Sequence, residues 1–347
     1  MGRQALMRIG VDIISGEKDP MLLVEGALDA LKEEQDITVV LIGPEATYRN
    51  LLAILTKKKR YSPSVLKRLD FLNATEVVTM EDDPLNVMKQ KKDASIYVGL
   101  RAHKEGQLDA FFSPGNTGAI VVAAALILGR VKGVKKPALA TFMPNTEGDA
   151  NIFLDVGASA ECEAADYVKF CVMGEIYARE MLGRTKPRIG LLNIGEEEHK
   201  GTREMKEIHH MLKGLPLNFI GNVEGGDLFG TKADVIVCDG YIGNIALKTA
   251  EGAAKSISKL LKDAIKRHFL AMLALPFYVG AIKELKEKID PERYGGAPLL
   301  GVNGNVYIGH GASGKDAIRY GVKAAARAVR HQVLNKIHTE LEEFHLI

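Results

Sequence analysis

Arg188-Ile-Gly-Leu-Leu-Asn-Ile-Gly195-Glu-Glu-Glu-His-Lys200-Gly-Thr202 is the stretch from which the fold is read. Its first part is an apolar run with the length of a buried strand. Its second part is a polar loop bracketed by Gly195 and Gly201, and an amphipathic pattern follows over residues 202–212. Strand, glycine-bounded loop, helix start is the order in which open α/β sheets build ligand sites, at the carboxyl ends of strands. The loop sets three carboxylates, an imidazole and an ammonium in consecutive positions. A solvated turn can have that composition too, so the other loops decide.

They repeat the pattern. Met7-Arg-Ile-Gly-Val-Asp12 reads as a first parallel strand, followed by a helix over residues 21–32, and Ile37-Thr-Val-Val-Leu-Ile42 reads as a strand buried on both sides. Residues 50–69 have a helical pattern that carries Lys57-Lys-Lys-Arg60, a block expected to be a solvated helix end. A helix ends near Lys104-Glu-Gly106, where glycine suits the left-handed C-terminal position. Leu108-Asp-Ala-Phe-Phe-Ser113 then runs into Pro114-Gly-Asn-Thr-Gly118 and an apolar helix over residues 119–128. That turn delivers backbone N–H groups at a helix N-terminus, where an anion is best held. It is neither a Walker loop nor the dinucleotide Gly-x-Gly-x-x-Gly. Pro137-Ala-Leu-Ala-Thr-Phe142 and Asn151-Ile-Phe-Leu-Asp-Val156 are close enough for a hairpin, with a helix over residues 164–182 after them. Leu217-Asn-Phe-Ile-Gly-Asn-Val-Glu-Gly225 and Ala233-Asp-Val-Ile-Val-Cys-Asp-Gly240 are again strands ending in an acid and a glycine. Polar residues next to glycine thus recur at Asp12, Asn116, Asp155, Asn193 to Lys200, and Asp239, as a common cleft would require.

The long apolar tract lies in the second half. Residues 243–267 form one amphipathic helical pattern, and Phe269-Leu-Ala-Met-Leu-Ala-Leu-Pro-Phe-Tyr-Val-Gly-Ala-Ile282 is almost wholly apolar. That tract is too short to cross a bilayer of about 30 Å at 1.5 Å per residue. Lys262, Lys266 and Arg267 precede it and Lys283, Lys286 and Lys288 follow. Basic flanks around an apolar tip suit an anionic membrane interface, and a dimer contact or a buried helix would give the same pattern. Asp290 to Gly301 reads as a glycine-rich loop, Gly309-His310-Gly311-Ala-Ser313 as a last polar loop, and residues 316–343 as one final helix.

Totals exclude several classes. The chain has 347 residues, 46% hydrophobic and 26% charged, which is ordinary for a globular protein with ample core. A formal charge of +2 gives no reason to expect nucleic acid as a partner. Cys162, Cys171 and Cys238 fit neither metal spacing nor a disulfide framework and read as buried, inert thiols. Residues 1–8 lack the apolar core of a secretory signal, so a reducing cytoplasm is expected. No linker, low-complexity tract or repeat divides the chain. The expectation is one α/β catalytic unit over residues 1–347, mostly parallel and three-layered (αβα), with a protruding helical arm over residues 243–290.

The chemistry open to these loops is limited. No Ser-His-Asp set, metal cluster or Gly-x-Ser-x-Gly can be claimed from spacing, so no metal and no cofactor is expected. A cleft rich in glycine N–H groups, amides, Lys200 and His310 suits a phosphate or an acyl oxygen, where positioning outweighs covalent catalysis. His310 lies between glycines that give it little to pack against. Lys200 is an ammonium beside a helix start.

At this point the residues carry a resemblance. Ser113-Pro-Gly-Asn-Thr-Gly-Ala119, Asp155-Val-Gly-Ala158, Gly190-Leu-Leu-Asn-Ile-Gly-Glu-Glu-Glu-His-Lys-Gly201, Gly221-Asn-Val-Glu-Gly225, Cys238-Asp-Gly-Tyr-Ile-Gly-Asn244, Tyr294-Gly-Gly-Ala-Pro-Leu-Leu-Gly301 and His310-Gly-Ala-Ser313 occur in this order. Together they resemble the acyl-carrier-protein:phosphate acyltransferases of bacterial phospholipid synthesis, the PlsX family. The resemblance implies transfer of a long acyl chain from a carrier-protein thioester to inorganic phosphate. It also implies a fold like isopropylmalate dehydrogenase and phosphate acetyltransferase, a homodimer, and peripheral membrane contact through Phe269 to Ile282. Lys200, His310 and Asn116 are then the catalytic candidates. Asp12, Gly115, Thr117, Gly118, Asp155, Asn193, Gly195, Glu197, Gly201, Asp239, Asn244 and Ser313 are the substrate-binding candidates. The usual first loop, Asp-Ala-Met-Gly-Gly-Asp, here reads Asp12-Ile-Ile-Ser-Gly-Glu17, so Ser15 adds a Cβ, and Ile242 stands where threonine is usual. A coenzyme A-dependent phosphate acyltransferase of acetyl or butyryl type shares the chemistry. A membrane-associated docking protein that has lost the activity is the other alternative.

Overall fold

In the computed structural model, which describes residues 6–58, 60–288 and 291–344, eleven strands form one sheet. Lys59 of the basic block, Asp290 and residues 1–5 lie outside the described residues. The strands are β1 (Met7–Asp12), β2 (Ile37–Gly43), β3 (Leu69–Asn73), β4 (Ala110–Ser113), β5 (Ala138–Pro144), β6 (Ala150–Leu154), β7 (Ile189–Leu192), β8 (Phe219–Val223), β9 (Val235–Val237), β10 (Ala297–Leu300) and β11 (Val306–Ile308). They lie in the order β3-β2-β1-β4-β11-β10-β5-β6-β9-β7-β8. One parallel block comprises β3, β2, β1, β4 and β11, and a second comprises β6, β9, β7 and β8. The two are joined through the antiparallel pairs β11–β10, β10–β5 and β5–β6, the last being the expected hairpin.

Alternation along the strands sorts side chains into two cores, one on each face. Ile9, Val11, Val39 and Leu41 belong to one core with the helices Pro20–Glu33, Ala164–Leu182 and Lys315–Arg330. Val40, Ile42 and Phe111 belong to the other with Ser95–Lys104 and Thr117–Ile127. The result is the expected αβα arrangement. Phe111 and Phe112 divide between the layers, and each ring lies against a helix glycine. A Cβ on Gly99 would sit 2.2 Å from Phe111, and one on Gly321 2.2 Å from Phe112. Both helices approach the sheet so closely because these positions have no side chain.

Three expectations need correcting. Residues 50–69 do not form one helix. The helix Glu45–Lys58 ends early, Ser62 caps a single turn at Pro63–Leu66, and Leu69–Asn73 is edge strand β3. Its half-exposed residues lack the continuous apolar run by which buried strands are recognised. The glycine-rich loop contains β10, whose short Ala-Pro-Leu-Leu run reads as loop because proline stands in it. The final helix is two, Lys315–Arg330 and Val333–Glu343, separated at Gln332 with φ 55°. The break turns the last helix onto Ala164–Leu182, so its apolar positions pack there.

The helix Gly240–Arg267 is about 42 Å long at 1.5 Å per residue, yet only Gly240 and Gly243 in it are buried. It is followed by Phe269–Lys288, which contains Pro276. Ile257, Leu260, Leu270 and Phe277 on this pair are 65–88% exposed. Among the described residues no helix is long and apolar enough to cross a membrane.

Candidate active site

Three clusters of loops hold the candidate residues. The first stands at the carboxyl ends of β1, β4 and β11, which are neighbours in the sheet. Asp12 is fully buried, accepts from the N–H groups of Ile14 (3.1 Å) and Ser15 (3.2 Å), and receives the Ser113 hydroxyl at 2.8 Å. The same hydroxyl oxygen accepts from the Gly115 N–H at 3.1 Å. Ser15, the departure from the usual glycine, turns its hydroxyl onto Ser95 at 3.0 Å. Its Cβ fills the space beside Gly115, where another Cβ would come within 2.8 Å of it. Asn116 caps the helix Thr117–Ile127 by accepting from the Ala119 N–H, while its amide nitrogen donates to the carbonyls of Thr79, Met80 and Asp82. Both ends of that side chain are occupied. What this turn offers a ligand is therefore backbone: the N–H groups of Thr117 and Gly118 have no acceptor among the described residues. They point out of the positive end of a helix dipole.

His310 stands close to this turn. The Gly309 N–H donates to the Ser113 carbonyl at 2.9 Å, and Met80, whose carbonyl holds Asn116, also lies against Gly311. His310 is exposed, and its Nδ1 accepts from the Ala312 N–H at 3.1 Å. In the neutral ring the proton must then be on Nε2, which becomes a donor. Ser313 is buried beneath it and donates its N–H to the His310 carbonyl.

The second cluster surrounds the ends of β6 and β9. Asp155 accepts from four N–H groups, those of Leu139, Gly157, Ala158 and Ser159, at 2.7–3.0 Å. Burial raises its pKa to about 6, against the lowering effect of these donors. Asp239 caps the helix Gly240–Arg267 through the Ile242 N–H (2.8 Å) and receives the Tyr167 hydroxyl at 3.0 Å. Gly243 is required here, because a Cβ would overlap the Asp155 carbonyl oxygen. Asn244 is exposed one turn up, with its amide against Gly157. The three strand-end acids thus share one task in the folded chain: each orders the loop that follows it. Cys162 is half-buried and its thiol is pushed up to about 12, mainly by burial, while Cys171 and Cys238 are buried, in keeping with inert thiols.

The third cluster is the loop after β7. Asn193 bridges its ends, accepting from Ile194 and donating to the Lys200 carbonyl. Gly201 has φ 86° and no room for a Cβ beside Asn193. Glu196 pairs with Lys232 at 2.8 Å and Glu198 with Lys213 at 2.6 Å. The Glu197 carbonyl accepts from Asn222 and from the Lys200 N–H. Lys200 is half-buried with its stem over Gly195, and its ammonium has no carboxylate partner among the described residues, although three glutamates adjoin it. His199 is exposed.

No hydrogen bond or ion pair among the described residues joins the three clusters directly. The second does face the helix Thr117–Ile127 across a groove of about 460 Å³. Among the described residues no group of three His, Cys, Asp or Glu side chains could hold a metal ion. Sequence reasoning missed the segment that covers the first cluster, from Thr79 to Leu85. Pro84 lies over Gly118, and Asp82 is held down by the Lys91 ammonium at 2.5 Å. Nothing in its composition distinguishes it from an ordinary acidic loop.

The mostly parallel sheet between helical layers is a fold that this chain shares with solved phosphotransacetylases. A phosphotransacetylase from Streptococcus pyogenes superposes with a TM-score of 0.61 at 17% identity, covering 94% of each chain. The EutD phosphotransacetylase from Staphylococcus aureus does so with 0.58 at 13%, covering 93% of this chain and 94% of that one. More particularly, residues 7–336 match the family model described as Fatty acid synthesis protein, and the chain belongs to that family. A phosphate acyltransferase of Thermoanaerobacter pseudethanolicus is 42% identical over 336 residues, 97% of this chain and 98% of that one. A phosphate acyltransferase of Dictyoglomus thermophilum is 43% identical over 336 residues, 95% and 96% of the two chains. The chain is an acyltransferase of this family.

Proposed function

We propose that this enzyme moves a fatty acyl group from an acyl-carrier-protein thioester to inorganic phosphate, giving an acyl phosphate for phospholipid synthesis. The observation that carries the reading is the pair of unpartnered N–H groups at Thr117 and Gly118, on the turn adjoined by the loop that carries His310. Phosphate binds at the two N–H groups, and Lys200, with no carboxylate of its own, counters its charge. Gly115 and Asn116 shape that turn, and Asn193, Gly195, Glu197 and Gly201 shape the loop that presents the lysine. The thioester carbonyl oxygen receives the Nε2–H of His310, with Ser313 as its support. A phosphate oxygen attacks the carbonyl carbon, the new C–O bond forms, and the C–S bond breaks. The proton carried by hydrogen phosphate goes to the departing thiolate. Phosphate is already an anionic nucleophile at neutral pH, so neither a covalent enzyme intermediate nor a cofactor enters. Asp12, Asp155 and Asp239 hold the loops in place, and Asn244 borders the Asp155 loop.

The arm fits a homodimer and peripheral contact with the cytoplasmic membrane. Ile257, Leu260 and Leu261 form an uncovered apolar face for a second copy, while Leu270, Phe277 and Tyr278 are exposed on the following helix, with Lys266 and Arg267 just before it. The reading of the reaction is tested by incubating the enzyme with phosphate and either acyl-carrier protein or acyl-coenzyme A of one chain length, following thiol release. Faster turnover of the carrier thioester supports it. Turnover of the coenzyme A thioester alone assigns the donor otherwise, and carrier binding without phosphate-dependent thiol release makes the chain a docking protein.

A further inference from the structure

Resting on the acyl-transfer reading above, we propose that the groove beside the helix Thr117–Ile127 carries the pantetheine arm of the carrier protein, and that Arg130, Lys135 and Lys136 at its mouth dock the carrier's acidic surface. One wall of the groove is the helix, through Val121, Val122 and Ala125, and the opposite wall is Pro137, Ala158 and Ser159. The second wall is fixed in place. The Ser159 N–H is held by Asp155 and its hydroxyl donates to the Pro137 carbonyl, so the polar atoms of Ser159 are satisfied internally and the groove presents mainly aliphatic surface.

Length and charge identify the occupant. The helix has eleven residues and is about 16 Å long, the reach of an extended pantetheine arm. Its Thr117 end carries the N–H groups assigned to phosphate, so a thioester held there leaves the other end of the arm near Arg130. Residues 130–136 contain Arg130, Lys132, Lys135 and Lys136 and no acid. Glu161 and Glu163 stand across the mouth, where Lys135 forms an exposed pair with Glu163 at 3.2 Å. Such a pair is weak and readily exchanged. The Lys136 ammonium has no acceptor among the described residues, and the Arg130 guanidinium is turned toward the same segment by its bond to the Lys135 carbonyl. Leu126, beside the groove, is 67% exposed and adds an apolar contact. Among the described residues no aromatic ring lines the groove on which an adenine could stack. A run of cations at the mouth of an aliphatic slot suits an acidic protein with a thioester arm better than a thiol ester whose adenine needs a ring to stack on. Charge of this kind governs encounter and therefore acts on donor binding more than on the chemical step.

The test compares wild type with the double variant Lys135→Glu/Lys136→Glu and with Lys104→Glu, an exposed lysine on another helix end. Binding of holo carrier protein is measured by titration, and KM and kcat are measured separately for the acyl-carrier and acyl-coenzyme A donors. The expected result is a rise of at least tenfold in both Kd and KM for the carrier in the double variant, with kcat changed less than threefold and Lys104→Glu unaffected. Ala125→Trp, which fills the slot, should weaken holo carrier more than apo carrier, which lacks the arm. Unchanged carrier binding in the double variant overturns the docking surface, and equal loss for both donors overturns the assignment to the carrier. Equal weakening of apo and holo carrier by Ala125→Trp overturns the groove as the path of the arm. Because binding is read without turnover, absence of acyl transfer in the wild type would count against the proposed reaction and leave the docking result standing.

Discussion

Replacing Lys200 by methionine removes a positive charge and keeps most of the stem that covers Gly195. The ammonium has no carboxylate partner among the described residues, so its loss should change stability by less than about 0.5 kcal/mol, as for a surface position without special contacts. The effect on phosphate is another matter. In the proposed complex, with ammonium and phosphate brought to about 4 Å, unit charges attract by about 4 kcal/mol at an effective permittivity of about 20. Lys200 is half-buried, so solvent and salt reduce this to about 1.4–3 kcal/mol. That corresponds to a rise of about 10- to 150-fold in the KM for phosphate. The assay is phosphate-dependent thiol release with the thioester saturating, at two ionic strengths. The KM for thioester should move less than about threefold, and Lys200→Arg should restore much of the phosphate affinity, since it keeps the charge. A KM for phosphate within twofold of wild type, in a variant of unchanged melting temperature, would refute the placement of phosphate near Lys200.

Other outcomes follow from the same geometry. His310→Ala should lower kcat by at least about tenfold, the equivalent of 1.4 kcal/mol of transition-state stabilisation, and His310→Gln, which keeps a donor, should lose less; equal losses would show that the Nε2–H is not what acts. Asp155 takes up its proton at about pH 6 when folded and at about pH 4 when unfolded, so the folded state binds more protons between these values. Its contribution to stability is therefore greatest below pH 4 and is lost as pH rises through 6; denaturant melts of Asp155→Asn should lack that slope, and should lie about 1–3 kcal/mol lower at pH 7 because an amide N–H₂ meets the N–H donors. Gly321→Ala should cost about 1–3 kcal/mol by pressing on Phe112, and Phe112→Leu in the same chain should recover part of it; additive losses would mean the two do not share one contact.

The sheet was legible because its central strands are continuous apolar runs and its loops begin with acids and glycines. Asp155-Val-Gly-Ala and Asn193 to Gly201 stood out because their glycines answer to close approach or positive φ, which sequence composition records. What escaped was context. Leu69–Asn73 is an edge strand with mixed exposure, and Ala297–Leu300 is a short strand carrying proline, so neither has a periodicity of its own. Gln332 breaks the last helix with a left-handed conformation that glutamine does not advertise. At the site, the residue types were readable and their occupancy was not. Asn116 looks like a ligand-binding amide in the sequence, but the carbonyls of Thr79, Met80 and Asp82 use it up, and they come from a segment far away in the chain. Lys200 shows the reverse. It stands beside three glutamates in the sequence, and the pairing of Glu198 with Lys213 and of Glu196 with Lys232 leaves its ammonium without a carboxylate partner among the described residues.

Direct attack by phosphate is the centre of this account, and one pre-steady-state experiment addresses it. Enzyme at a concentration comparable to the acyl-carrier thioester is mixed without phosphate, and free thiol is followed before and after phosphate is added. The account predicts no thiol in the first phase, then thiol and acyl phosphate appearing in equal amounts, the latter seen by phosphorus-31 resonance. A burst of one thiol per active site before phosphate is present would contradict it, because the acyl group would then already be on the enzyme.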